Sequence, residues 1–321
     1  MPDEEKLLAL PGGRTLAYAE AGNTSSSTVV IYLHGAFTVG EAKQPSSIIL
    51  EKSVHYIAPT LPGWGNSSPV PHGIAYATNL ATDITALIDH LHPNPMDLKL
   101  YICGGSFGTV PAQMLYGASY DVFPLGRNIA AMLLIGAITP FHCDKNYAKS
   151  MTWSNYIMVG PPGRLFPRLL PHLVKLALAS KVSTPESAEL FIRDLLFKKM
   201  SISERRTFDQ WRESKGKYEG EVEREMGQNV ARSVAKSWEG FLGMSDVVHS
   251  GWGGFTPSGL DDEHSRPPVL VVSSKGDDMA PEAWSMYLVE NYKNGRLKSI
   301  EGGHIAAICH WDEIWTEFMD L

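Results

Sequence analysis

Cysteine is scarce in this chain: Cys103, Cys143 and Cys309 are the only three among 321 residues, and they lie far apart. That excludes a disulfide framework and reads as reduced thiols, two of them inside apolar runs, which favours a reducing compartment. Met1-Pro2-Asp3-Glu4-Glu5-Lys6 lacks the basic start and apolar stretch of a secretory leader, and no apolar run is long enough to cross a bilayer. A cytoplasmic protein is expected, with peripheral contact at a membrane left open. Basic charge is not in excess either. A formal net charge of -7 provides no field to hold a phosphate backbone, so nucleic acid is not an expected partner. Histidines and carboxylates paired at metal-ligand spacing are missing, as is a dinucleotide-type glycine loop, so neither a metal nor an organic cofactor is expected. Repeats and low-complexity tracts are absent apart from Ser25-Ser26-Ser27, read as a plain loop. No oligomeric state is specified.

What is present is a globular composition, 44% hydrophobic and 20% charged. Leu7 to Leu10 and Thr15 to Ala19 alternate around Pro11-Gly12-Gly13 and predict an antiparallel hairpin. Val29 to Leu33, Tyr56 to Pro59, Leu98 to Cys103, Ala131 to Ile135 and Val269 to Ser273 are short apolar runs without alternation, as in strands buried on both faces of a parallel sheet. Leu80, Ile84, Leu87, Ile88 and Leu91 recur at helical spacing within Tyr76 to His92, ahead of Pro93 and Pro95. Alternating strands and helices predict a mostly parallel, doubly wound α/β sheet with its ligands beyond the C-terminal strand ends. From Pro140 to Gly254 the alternation gives way to amphipathic helices, with starts at Thr184-Pro185 and at a capping box Ser201-Ile202-Ser203-Glu204. The expected division is a sheet domain, 1–139 and 255–321, with a helical cap, 140–254, inserted. The charges from Glu204 to Glu225 are read as the cap's solvated face.

Gly104-Gly105-Ser106-Phe107-Gly108 fits G-x-S-x-G, with the apolar strand before it and a helix-compatible run from Thr109 after it. Glycines there let a strand turn sharply into a helix and present the serine on the bend. A serine hydroxyl is a weak nucleophile and needs a base, and the base needs a group to orient it. Leu297 to Ile300 reads as the last strand, and Glu301-Gly302-Gly303-His304 puts a histidine at its end. His90 and His92 close a helix, where a cation suits the dipole, and His310 falls in the final amphipathic helix, so these three read as structural. The strand ending at Ser273 leads to Asp277 and Asp278; one carboxylate would point inward to the imidazole and the other to solvent or to the helix starting near Pro281. Oxyanion donors are expected from the backbone N–H of Phe107 and from the His34-Gly35-Ala36-Phe37 turn, with Ala36 ahead of Phe37. His34 itself reads as a brace for that turn.

These motifs, in this order, resemble the α/β-hydrolase family. The His34-Gly35 turn is similar to its oxyanion loop, Leu61-Pro62-Gly63-Trp64-Gly65-Asn66-Ser67 to its P-G-x-G-x-S loop, and Gly104 to Gly108 to its nucleophile elbow. Asp277 stands four residues before Pro281, as the family acid does in D-x-x-V-P, which selects it over Asp278; His304 follows glycine, as the family histidine does. Thr60 replaces a common Asp and Ala280 the usual Val. Ser106 argues against the dehalogenase and epoxide hydrolase branches, and no acid occurs from Leu133 to Pro140, the alternative acid position. The resemblance implies a hydrolase with Ser106, Asp277 and His304 as its triad, acting on an ester, or an amide, thioester or carbon-carbon bond. Aromatic and methionine residues of the cap suggest an apolar small-molecule substrate, with Phe37, Trp153, Tyr156 and Trp238 as candidate pocket residues. The same family also admits a non-hydrolytic lyase or cyclase, a ligand-binding protein and a proline-releasing peptidase.

Overall fold

The computed structural model describes residues 5–43, 45–167 and 169–321, so Met1 to Glu4 lie outside the described residues. Eight strands form one sheet: β1 (Lys6–Leu10), β2 (Arg14–Gly22), β3 (Thr28–Leu33), β4 (His55–Pro59), β5 (Lys99–Gly105), β6 (Ile129–Ile135), β7 (Val269–Ser274) and β8 (Gly295–Ile300). Their order is β1-β2-β4-β3-β5-β6-β7-β8. The predicted hairpin is there, turning through Pro11–Gly13, and β2 pairs antiparallel with β4 while β3 to β8 run parallel.

Among the described residues the α-helices are α1 (Ser47–Glu51), α2 (Tyr76–Leu91), α3 (Thr109–Tyr116), α4 (Trp153–Met158), α5 (Pro161–Leu165), α6 (Leu169–Val182), α7 (Pro185–Leu195), α8 (Ile202–Ser214), α9 (Glu221–Val234), α10 (Glu239–His249), α11 (Glu282–Asn291) and α12 (Trp311–Met319). Successive strand residues point to opposite faces. Val29, Ile31 and Leu33 thus join a core with Leu80 and Ile84 of α2, Val110 of α3 and Trp284 of α11. Val30, Tyr101 and Leu133 join a second core with Ile49 of α1 and with Ile314, Trp315 and Phe318 of α12. Burial on both sides explains why these strands do not alternate in sequence. Each buried Leu or Ile contributes about 2 kcal/mol relative to exposure, so a one-residue slip of register would be costly.

Two local expectations change. His92 does follow α2, but it is buried, with Nε2 2.9 Å from His55 Nδ1, and His55 Nε2 lies 3.2 Å from Glu20. Burial lowers the pKa of both rings, so His92 is neutral and not a cation at the helix end. His310 precedes α12 instead of lying within it, its Nδ1 3.3 Å from Glu313.

Between β6 and β7 the chain is helical from α4 to α10. A reciprocal cap starts α7: Thr184 accepts from the Ser187 N–H, and the Ser187 side chain accepts from the Thr184 N–H. At α8 only half of the predicted box forms. Ser201 accepts from the Glu204 N–H, while the Glu204 carboxylate turns away and accepts from Gly303 N at 2.8 Å. Nor is the charged stretch wholly solvated. Lys217 is buried and donates to both oxygens of Glu225, and Glu223 of α9 is also buried, 3.9 Å from Arg193 of α7.

Candidate active site

Strand β5 runs straight into Ser106, whose φ of 52° is unusual for a residue with a side chain. Such a conformation costs of the order of 1–3 kcal/mol and persists only where its surroundings enforce it. Here the chain must fold tightly against β3. A Cβ at Gly108 would stand 2.0 Å from the Leu33 carbonyl oxygen, and one at Gly104 would stand 2.3 Å from that of Gly108. The Thr109 hydroxyl donates to the Ser106 carbonyl and accepts from Ile138 N, tying the bend to the loop after β6. The serine hydroxyl is thereby held at the C-terminal end of the sheet, half-buried and accessible.

The loops after β7 and β8 bring two more side chains to it. Gly276 N donates to Gly302 O at 2.9 Å, joining the two loops at their bases. Asp277 Oδ1 accepts from Met279 N and Ala280 N at 2.8 and 2.9 Å, and Oδ2 lies 2.8 Å from His304 Nδ1. On the far side of the ring, His304 Nε2 is 3.0 Å from Ser106 Oγ. A carboxylate only accepts, so the network assigns the ring proton to Nδ1 and leaves the Nε2 lone pair facing the serine hydroxyl. Asp278 is exposed. Gly136, just after β6, has a φ of 57°, and a Cβ there would lie 3.4 Å from His304 Cε1 and 3.6 Å from Asp277 Oδ2.

The loop after β3 lies against the serine from the other side: a Cβ at Gly35 would be 3.3 Å from that of Ser106. Among the described residues, no backbone or side-chain acceptor takes the N–H of Ala36 or Phe37. His34 braces this loop. Its Nδ1 donates to Gly35 O at 2.7 Å and its Nε2 accepts from Leu61 N at 2.9 Å, while burial pushes its pKa down to about 4 and keeps it neutral. Thr60, where the family commonly has Asp, accepts from Gly40 N and so serves the same loop.

Phe37 has a φ of 56° and sets its ring among Trp64, Trp238 and Phe241, with centroids 5.6, 6.1 and 4.9 Å away. Phe37 and Trp238, two of the candidate pocket residues, are thus in contact. Tyr156 and Trp153 pack edge to face on α4, where Trp153 is 79% exposed.

Three polar side chains of the helical segment reach the loops that carry these groups. Asn155 of α4 donates to the carbonyls of Asp278 and Met279, Glu204 of α8 accepts from Gly303 N, and Asn229 of α9 accepts from Val39 N. A cleft of about 350 Å³ beside Glu204, lined also by Thr207, Ile300, Ala306 and Cys309, does not include Ser106 in its walls. Sequence reasoning singled out neither Asn155, Asn229 nor Gly136, and read Glu204 only as part of a cap. The one available signal was a glycine directly after a buried strand. Among the described residues, no cluster of histidine, cysteine and carboxylate side chains is arranged to hold a metal ion.

A profile of the alpha/beta hydrolase family matches residues 30–316. The chain belongs to that family. Solved structures agree on the fold of this alpha/beta hydrolase. The enol-lactonase from Burkholderia xenovorans LB400 is 16% identical, with a TM-score of 0.62 over 98% of this chain and 100% of that one. MGS-M2, an alpha/beta hydrolase enzyme from a Medee basin deep-sea metagenome library, is 14% identical, with a TM-score of 0.60 over 98% of both chains. An esterase from Exiguobacterium antarcticum is 16% identical, with a TM-score of 0.58 over 98% of this chain and 99% of that one. No curated protein matches the sequence significantly. Membership of the family supports hydrolase activity.

Proposed function

We propose that this alpha/beta hydrolase is a serine esterase for an apolar small molecule, working through an acyl-enzyme on Ser106. The observation that carries the reading is the line Asp277, His304, Ser106, in which each polar atom faces a complementary one within 3.0 Å. In the first half-reaction His304 Nε2 takes the proton of Ser106 as Oγ attacks the ester carbonyl; the tetrahedral intermediate then expels the alcohol, which leaves with that proton. In the second half, His304 deprotonates a water that attacks the acyl-enzyme, and the proton returns to Ser106 as the acid departs. Asp277 orients the ring and stabilises the imidazolium. The N–H groups of Phe107 and Ala36 hold the oxyanion, and because they are backbone groups in braced loops they need little reorganisation. The residues 140–254 form a cap over the core made of 1–139 and 255–321, with Phe37 and Trp238 supplying apolar contact for the substrate. Trp153 and Tyr156 stand at its outer edge.

The test is turnover of a p-nitrophenyl ester series of increasing acyl length by the wild type and by a folded Ser106→Ala variant. Hydrolysis should be lost in the variant, and the preferred acyl length reports the pocket's size. Undiminished turnover by Ser106→Ala of any ester the wild type cleaves would sink the assignment.

A further inference from the structure

The helical segment turns an apolar face outward. Leu169, Leu173 and Leu176 recur at spacings of four and three, which sets them on one side of α6, and all are more than half exposed, Leu176 at 76%. Leu165 and Phe166, just before that helix, are also exposed, as is Trp153 on α4, and α4, α5 and α6 pack against one another. Apolar side chains scattered singly over a surface are ordinary; a row of leucines on one helix in solvent, next to further exposed apolar side chains, marks a contact surface.

The charge of the same stretch is as uneven. Between Asp144 and Glu186 the sequence has no acidic residue, yet it contains Lys145, Lys149, Arg164, Arg168, Lys175 and Lys181. Of these, Lys145, Lys149, Arg164 and Lys181 are exposed, in a chain whose formal net charge is -7. We propose that this face docks on a bilayer containing anionic phospholipid, with the leucine and aromatic side chains entering the boundary between headgroups and acyl chains and the basic side chains meeting phosphate. A second copy of the chain fits less well. A two-fold dimer through this face would bring together the exposed Arg164 and Lys181 of the two copies, which bracket the leucines in sequence, with no acidic residue of that stretch between them. The surface also adjoins the candidate site: Lys175 Nζ lies 5.7 Å from the Trp238 ring centre, and that ring meets Phe37.

Vesicle flotation of the full chain tests this without any turnover, so its failure and that of the esterase reading are separate results. The wild type should float with vesicles of phosphatidylcholine mixed with phosphatidylglycerol and not with phosphatidylcholine alone, and added salt should weaken the binding. Replacing Leu169, Leu173 and Leu176 together by serine should lower the bound fraction about tenfold or more while leaving turnover of a soluble short-chain ester unchanged. A second variant, Arg164→Glu with Lys181→Glu, alters only exposed side chains and should have the same effect. No flotation of the wild type, or flotation that neither variant reduces, overturns the proposal. So does concentration-dependent self-association, seen by sedimentation, that the leucine variant abolishes, which would assign the face to a second copy.

Discussion

Asp277 serves two kinds of partner at once. Its Oδ1 takes the N–H groups of Met279 and Ala280, and its Oδ2 faces His304 Nδ1. An asparagine there would keep its oxygen on the two backbone donors and turn its NH₂ toward the ring. The imidazole would then carry its proton on Nε2, the atom that in the proposed mechanism accepts from Ser106. Asp277→Asn should therefore fold normally and lose about 10³- to 10⁴-fold in kcat with KM little changed. Steady-state kinetics on a soluble ester measures this, and a wild-type rate would remove Asp277 from the reaction. Gly136 is constrained from the opposite side. Gly136→Ala strains a positive φ and pushes a methyl group toward His304, so it should lower both kcat and the urea midpoint, the latter by about 1 kcal/mol of stability.

At the scale of elements, the loops bearing Asp277, His304 and the proposed oxyanion donors are each held by a helix between β6 and β7 as well as by the sheet. The contact of α8 bears most directly on His304, because Gly303 immediately precedes it. A hydrogen bond to a carboxylate is worth about 1.5–3 kcal/mol, enough to decide how often a glycine-rich loop occupies one position. Glu204→Ala should lower kcat about tenfold or more at unchanged KM, and Glu204→Gln, which keeps an acceptor, should restore most of it. If the alanine variant turns over as fast as the wild type, the β7 loop alone positions His304. Helix α8 thus illustrates what a capping pattern does not determine. Ser201 caps it as the sequence predicts, while Glu204 finds a better-placed donor about a hundred residues away in the chain.

For the molecule as a whole, three histidines are buried in the sheet domain with lowered pKa values: His34 at about 4, and His55 and His92 below the ordinary value through loss of solvation. Unfolding returns each to about 6.5. The unfolded chain then binds more protons than the folded one below that pH, so stability is level above about 6.5 and falls as the pH drops toward 4, by up to about 1.4 kcal/mol per pH unit for each proton. Loss of solvation by itself would raise the pKa of Glu20, but the hydrogen bond and charge of Lys6 turn the shift downward, so it adds a loss once the pH falls below the ordinary glutamate range. The urea midpoint should therefore decrease from pH 7 to pH 5; a constant midpoint would contradict the neutral state of these rings.

Between Asp277 and Asp278 the resemblance to the family decided, while the hairpin, the two-sided strands, the long α2, the glycine-flanked serine and the histidine at a strand end were legible in the sequence. Each is a local matter of backbone geometry: glycine where the chain must turn closely, apolar runs where both faces are buried, periodic leucines where one face is. What only the tertiary structure decided were encounters between segments far apart in the chain. These include Glu204 with Gly303, Asn155 with the acid loop, Gly136 beneath His304, and His92 against His55. Periodicity says which face of an element is apolar, but such contacts depend on distances of a few ångströms between packed elements, and those are set by the combined packing of the whole fold.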